Sequence, residues 1–61
     1  MKSWMSAQQQ KDYDTICALI DSAHTPKQFY KVCDKINKYD CDIVNAARED
    51  RHFFNSAQFA N

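Results

Sequence analysis

Four lysines recur at helical spacing and make the most concentrated charge in the chain: Lys27, Lys31, Lys35 and Lys38. At about 100° per residue they fall within one narrow sector of a helix. Such a row of ammonium groups can bind an acidic protein surface or the phosphate backbone of a nucleic acid. On many helices it is instead the solvated face, and that interpretation stays open. We predict that these lysines contact a macromolecular partner.

The sequence around these lysines predicts an amphipathic helix over residues 25–39. Thr25 is a favourable N-cap, Pro26 suits the first helical position, and Gln28 completes a capping box. The helix should end near Asn37, because asparagine tolerates the left-handed conformation found past many helix ends. The side opposite the lysines is apolar and consists of Phe29, Val32, Cys33 and Ile36.

Two further helices flank this one. A second capping box, Ser6 with Gln9, predicts a helix from about residue 7 to 23. Asp40 is a favourable N-cap for a third helix from about Cys41 to Asp50 or one turn beyond. The apolar sides of these two helices consist of Tyr13, Ile16, Leu19, Ile20 and Ala23, and of Ile43, Val44, Ala46 and Ala47.

The chain contains no glycine. Because glycine enters positive-φ turns without a Cβ clash, its absence disfavours β-hairpins, P-loops and dinucleotide-binding turns together. Helices joined by turns that contain Asn and Asp remain. We therefore predict an all-α fold, a compact bundle of three or four short helices that forms a single small domain over residues 1–61.

The second half of the bundle resembles a degenerate helix-turn-helix motif over residues 29–48. The positions that such a motif uses for packing and for its turn hold Val32, Cys33, Ile36, Asn37, Ile43 and Ala46. Lys38 replaces the usual apolar turn residue, and Asp40 and Asp42 place carboxylates where the recognition helix normally approaches DNA phosphates. The side chains that would contact bases or phosphates under this alternative are Asn45, Arg48 and Arg51.

Large aromatic side chains lie outside the predicted apolar helix sides. The end of the chain carries Phe53, Phe54 and Phe59, and Tyr30 falls off the core side of its helix. Aromatic residues are enriched at the centres of protein interfaces. We predict these four residues as apolar anchors for a partner, with completion of the core as the alternative. Trp4, near the other end of the chain, raises the same question.

Composition and spacing exclude several classes of function. Eight basic and eight acidic residues cancel, which argues against a dedicated non-specific nucleic-acid binder. The sequence has no C-x-x-C or H-x-x-x-H pair, so we expect no metal site and no other cofactor. A chain this short offers no cleft of enzyme size, so we predict no enzymatic activity and no small-molecule substrate. No apolar run approaches the roughly 18 residues of a membrane span, and the odd number of cysteines favours free thiols in the cytoplasm.

These observations favour a non-enzymatic binding protein that acts as an inhibitor or adaptor on a protein partner. Small proteins encoded by phages and mobile elements often take this form. The alternative is a small helix-turn-helix-like DNA-binding transcriptional regulator. Homo-oligomers such as a homodimer are compatible with both, because a chain of this length buries only about 60% of the surface that its unfolded form exposes.

Overall fold

The computed structural model describes residues 3–55 and residue 57 of the chain. This part folds into three α-helices: α1, Ala7–Asp21; α2, Pro26–Ile36; and α3, Cys41–Asp50. It contains no β-strand, so the predicted all-α bundle is confirmed. None of the three helices is both long and apolar enough to cross a lipid bilayer.

The first two helices begin at the predicted caps. Ser6 and Gln9 form a complete capping box, in which the Ser6 hydroxyl accepts from the Gln9 N–H (3.2 Å) and the Gln9 side-chain oxygen accepts from the Ser6 N–H (2.8 Å). At α2 the Thr25 hydroxyl accepts from the Gln28 N–H (3.2 Å). The Gln28 side-chain oxygen, however, accepts from the N–H of His24 (2.7 Å), one residue before the cap. Both starts therefore satisfy backbone donors that a helix leaves unpaired.

α2 ends where the sequence predicts, with Asn37 as its C-cap. Asn37 has φ −60° and ψ −21°, so it does not adopt the left-handed conformation that asparagine tolerates. Its N–H still donates to the carbonyl of Cys33 (3.1 Å), and the N–H of Tyr39 closes a tighter turn onto the carbonyl of Ile36 (3.1 Å). Because no residue of this turn has a positive φ, α2 and α3 are joined without the turn geometry that the helix-turn-helix resemblance implies.

Asp40 caps the start of α3, because its carboxylate accepts from the N–H of Asp42 (3.0 Å). α3 ends in a Schellman motif. His52 adopts the left-handed conformation, with φ 53°. The N–H of Phe53 donates to the carbonyl of Arg48 (2.9 Å), and the N–H of His52 donates to the carbonyl of Glu49 (3.3 Å). These two bonds define the motif, and they turn the chain back towards the bundle.

The core lies between the apolar sides of the three helices, as predicted, with α1 contacting α3 more extensively than α2. Three residues from outside the helices complete it: Met5, Ala23 and Phe53, of which Phe53 has no exposed surface. Phe53 was predicted as an anchor for a partner, but its ring packs 4.5 Å from that of Phe29, so we assign it to the core. The buried cluster consists of Met5, Ile16, Cys17, Ile20, Ala23, Phe29, Val32, Ile36, Ile43, Val44, Ala47 and Phe53.

Candidate partner-binding surfaces

The lysine face consists of Lys27, Lys31, Lys35 and Lys38, and all four side chains are exposed. α2 presents its three lysines outwards because Phe29, Val32 and Ile36 fix its opposite side in the core. Lys38 lies two residues beyond the end of α2. Asp34 is exposed on the same side, but within the described part of the chain none of the four ammonium groups forms an ion pair with a carboxylate. The face is therefore predominantly positive.

Tyr30 borders the lysine face and is held in place by other rings. Its side chain is 63% exposed, and its ring meets that of Phe29 edge-on at 5.5 Å between centroids. Phe29 in turn packs on Phe53, so the rings of Tyr30, Phe29 and Phe53 form a row within the described part of the chain. Phe54 is 53% exposed, and the exposed ring of His52 lies 6.3 Å from it. Phe59, the fourth predicted anchor, lies outside the described residues.

Arg48, one of the three residues of the DNA-binding alternative, is turned towards its own backbone. Its Nε donates to the carbonyl oxygen of Phe53 (2.9 Å), and an outer guanidinium nitrogen donates to that of Phe54 (3.3 Å). The side chain is half-buried. Arg48 thus fastens the segment that follows α3, and the sequence did not identify this role.

The other two residues of the DNA-binding alternative are also poorly placed to contact DNA, because Arg51 is paired within the bundle and Asn45 lies between two carboxylates. Arg51 forms an ion pair with Asp21 of α1 (3.4 Å), and a hydrogen bond with Cys17 together with the Asp21 charge raises the pKa of its guanidinium. Asn45 lies on α3 between the carboxylates of Asp42 and Glu49. The structure does not assemble these residues into a basic surface.

A second polar contact joins α1 to α3. The Tyr13 hydroxyl donates a hydrogen bond to the carboxylate of Asp50. This bond, together with partial burial, holds the pKa of Tyr13 well above its usual value. The two contacts, Tyr13 with Asp50 and Arg51 with Asp21, use polar side chains to hold the two helices together.

The acidic groove is an open depression of about 350 Å³ lined by Trp4, Asp42, Asn45, Ala46 and Glu49. The four α3 residues share one helix face because they are spaced three, four and seven positions from Asp42. Trp4 reaches this face because the next residue, Met5, is buried in the core. The shared face of the four α3 residues could be predicted from their spacing in the sequence. The position of Trp4 beside this face depends on tertiary packing.

Metal binding has one set of candidate ligands in the described chain, at the start of α3. Ligand atoms of Asp40, Cys41 and Asp42 lie within 4.8 Å of one another, and all three residues are exposed. The Asp40 carboxylate already caps the helix, so we assign no metal to this set. Cys17 and Cys33 are free thiols like Cys41, and burial raises the pKa of the Cys33 thiol, which makes it a poor nucleophile.

What this arrangement offers chemically is two exposed surfaces of opposite predominant charge. The lysine face presents ammonium groups beside an exposed tyrosine, and the acidic groove presents two carboxylates beside an exposed tryptophan. No protein family, curated protein or solved structure matches this chain.

Proposed function

We propose that this protein is a non-enzymatic binding module whose lysine face docks on an acidic surface of a partner protein, where it acts as an inhibitor or adaptor. The observation that carries the proposal is the exposure of four lysines that form no ion pair with the described residues, three of them on a helix fixed through its apolar side. Tyr30 and Phe54, both more than half exposed, supply the apolar contacts. Lysines would steer the encounter and the aromatic rings would provide affinity.

The energetics of α2 support this role. Lys27, Lys31 and Lys35 follow one another at four-residue spacing, and Lys38 follows three residues later. Like charges at such spacing destabilise a helix by about 0.2–0.5 kcal/mol per pair. Asp34, three residues from Lys31 and four from Lys38, offsets part of this repulsion. Contact with an acidic surface of another molecule would relieve the repulsion that remains.

The polar contacts of α3 favour a protein over DNA as that molecule. Arg48 is bound to backbone carbonyls, Arg51 is paired with Asp21, and carboxylates flank Asn45. A recognition helix with these features would repel DNA phosphates near its N-terminus, and few of its side-chain hydrogen-bond donors would be free to contact DNA. The DNA-binding regulator remains the second candidate, supported by the succession of α2, a short turn and α3.

We place the protein in the cytoplasm, where its three free thiols would stay reduced. A small binding module of this kind suits a phage or mobile element, whose proteins often act by covering a surface of a host protein. Neither statement alters the surface chemistry on which the proposal rests.

Affinity capture with matched variants tests the proposal. One bait carries Lys→Gln at all four positions of the lysine face, and the control bait carries Lys11→Gln, which removes an exposed lysine of α1. We expect a protein that binds the wild type and the control but not the four-lysine variant, and that binds again when purified and titrated. Equal retention by all three baits would contradict the proposal.

A salt titration with a DNA duplex tests the second candidate. Binding through several phosphates should weaken by orders of magnitude between about 50 and 200 mM salt. Binding to a protein through aromatic anchors should change far less over that range. A steep salt dependence for DNA that is lost in Arg48→Ala and Arg51→Ala, with helicity retained, would favour the regulator over the binding module.

A further inference from the structure

The acidic groove has the chemistry of a site for cationic side chains. Asp42 and Glu49 are exposed, and neither carboxylate forms a hydrogen bond or an ion pair with another side chain of the described chain. Trp4 is 50% exposed, so its ring is free to stack with a lysine stem or to attract an ammonium group. Two carboxylates and an indole ring in one groove therefore favour a positively charged occupant.

The spacing of the carboxylates matches a surface of the same protein. Asp42 and Glu49 are seven residues apart on α3, which places their Cα atoms about 10 Å apart along one helix face. Lys31 and Lys38 are also seven residues apart, and the backbone between them stays right-handed through residue 37. Lys38 lies two residues beyond the end of α2, and Asp34 lies between the two lysines in sequence. The lysine face thus offers two lysines at the same sequence spacing as the two carboxylates of the acidic groove.

We infer that the acidic groove of one copy binds the lysine face of a second copy. Lys31 and Lys38 would lie beside Asp42 and Glu49, and a lysine stem would pack against Trp4. The charge balance of the chain supports this occupant, because eight basic and eight acidic residues cancel overall while opposite signs collect on different surfaces. The contact joins two different patches, so it is directional and leaves further copies able to bind.

Such self-association would be weak and sensitive to salt. Exposed ion pairs contribute little each, and their attraction is screened at physiological ionic strength. We expect a dissociation constant roughly in the millimolar range, with tighter association at low salt. Because the lysine face is shared with the proposed function, self-association would compete with binding of the partner protein.

Charge reversal on each surface gives the test. The face-reversed variant carries Lys31→Glu and Lys38→Glu, and the groove-reversed variant carries Asp42→Lys and Glu49→Lys. Sedimentation velocity up to millimolar concentration should show wild-type self-association that weakens about tenfold in either variant alone. Mixing the two variants should restore association. Circular dichroism checks folding, and Glu49→Lys alone replaces the double variant if the change at Asp42 unfolds α3.

A matched control separates the groove from net charge. The variant Asp12→Lys with Asp14→Lys has the same net charge as the groove-reversed variant but changes α1. Mixed with the face-reversed variant, it should not restore association to the same extent. Trp4 is the only tryptophan of the chain, so its fluorescence should change when the acidic groove is filled.

Several outcomes would overturn the inference. These are a wild type that stays monomeric at millimolar concentration, self-association that survives both reversals, and equal rescue by the α1 control. A Trp4 signal with a lysine-rich peptide but no change in mass would assign the acidic groove to another protein's basic segment instead. Failure here leaves the proposed function standing, because the groove-reversed variant keeps the lysine face intact and its partner capture is measured separately.

Discussion

The pairing of α1 with α3 and the attachment of α2 use different chemistry. α1 and α3 combine apolar packing with two polar contacts, the hydrogen bond of Tyr13 to Asp50 and the ion pair of Arg51 with Asp21. α2 enters the core through three buried apolar side chains, and its lysines lie in solvent. Charged side chains thus stabilise the contact between α1 and α3, whereas the lysines of α2 lie exposed to solvent.

This difference indicates which polar side chains are not needed for the fold and are therefore available for binding. Removal of a polar group that serves the fold should change stability, whereas removal of a lysine from the lysine face should not. Charge content alone does not separate these cases, because α3 also carries charged residues at regular spacing. The following substitutions test the comparison, beginning with the residue that links the two regions.

Phe53→Ala should have the largest effect. The ring follows α3 in the chain and packs against Phe29 of α2, so it joins the two regions directly. Truncation of a fully buried phenylalanine costs about 3–5 kcal/mol, which approaches the whole stability of a small domain. Urea unfolding followed by circular dichroism should show a large loss, whereas Phe54→Ala at a half-exposed position should cost less than about 1 kcal/mol. Equal costs would contradict the assignment of Phe53 to the core.

Arg48→Ala should rank second. It removes the two hydrogen bonds to the carbonyls of Phe53 and Phe54, and bonds from a charged group contribute about 1.5–3 kcal/mol. Arg51→Ala is the matched control, because its exposed ion pair with Asp21 should contribute much less. Chemical denaturation gives both values. If the control costs as much as Arg48→Ala, the two arginines do not differ in their structural roles.

Tyr13→Phe should cost about 1.5 kcal/mol at neutral pH, because it removes a hydrogen bond to a carboxylate. The wild type should also lose stability in alkali. The folded state holds the pKa of Tyr13 above its unfolded value of about 10, through the bond to Asp50 and partial burial. The hydrogen bond therefore contributes fully below about pH 10 and is lost as the pH rises towards the folded pKa.

The variant provides the comparison for this pH effect. Free energies of unfolding measured from about pH 8 to 11.5 should fall for the wild type and fall less for Tyr13→Phe. Parallel curves would mean that the Tyr13 hydroxyl does not interact with Asp50. The assignment of this hydrogen bond as a contact between α1 and α3 would then be wrong.

The helices could be predicted from the sequence because their signals are local. Ser6, Thr25 and Asp40 cap the three helices as their neighbours indicate, and the buried sides follow the 3.6-residue period. The end of α2 near Asn37 was also predicted. Asparagine tolerates the left-handed conformation without requiring it, and here the chain continues with right-handed backbone.

The functional surfaces could be predicted only in part. The exposure of the lysine face and of Tyr30 follows from helical periodicity. Which of two adjacent phenylalanines is buried does not, because it depends on the left-handed turn at His52 that directs Phe53 inwards. The role of Arg48 and the docking of Trp4 beside α3 likewise require the path of the chain outside the helices.

His52→Gly should stabilise the protein by about 1 kcal/mol or slightly less. A left-handed residue with a Cβ costs roughly 1–2 kcal/mol, and the greater freedom of glycine in the unfolded chain offsets part of the gain. His52→Val should destabilise, because a β-branched side chain fits this conformation poorly. Thermal melting of the two variants measures the difference. A lower melting temperature for His52→Gly would mean that the imidazole ring contributes to the bundle.

Replacement of all four lysines of the lysine face by glutamine should have the smallest effect and the opposite sign to most substitutions. Relief of repulsion between neighbouring lysines should stabilise α2, and loss of the attraction between Asp34 and its neighbouring lysines should offset part of this gain. The net gain should be less than about 0.5 kcal/mol at low salt and should fade as salt screens the charges. Melting temperatures at two ionic strengths measure both quantities. A loss of more than about 1 kcal/mol would show that the lysines support the fold. A small gain, by contrast, would mean that the chain keeps these charges at some expense to its own helix, as a binding surface requires.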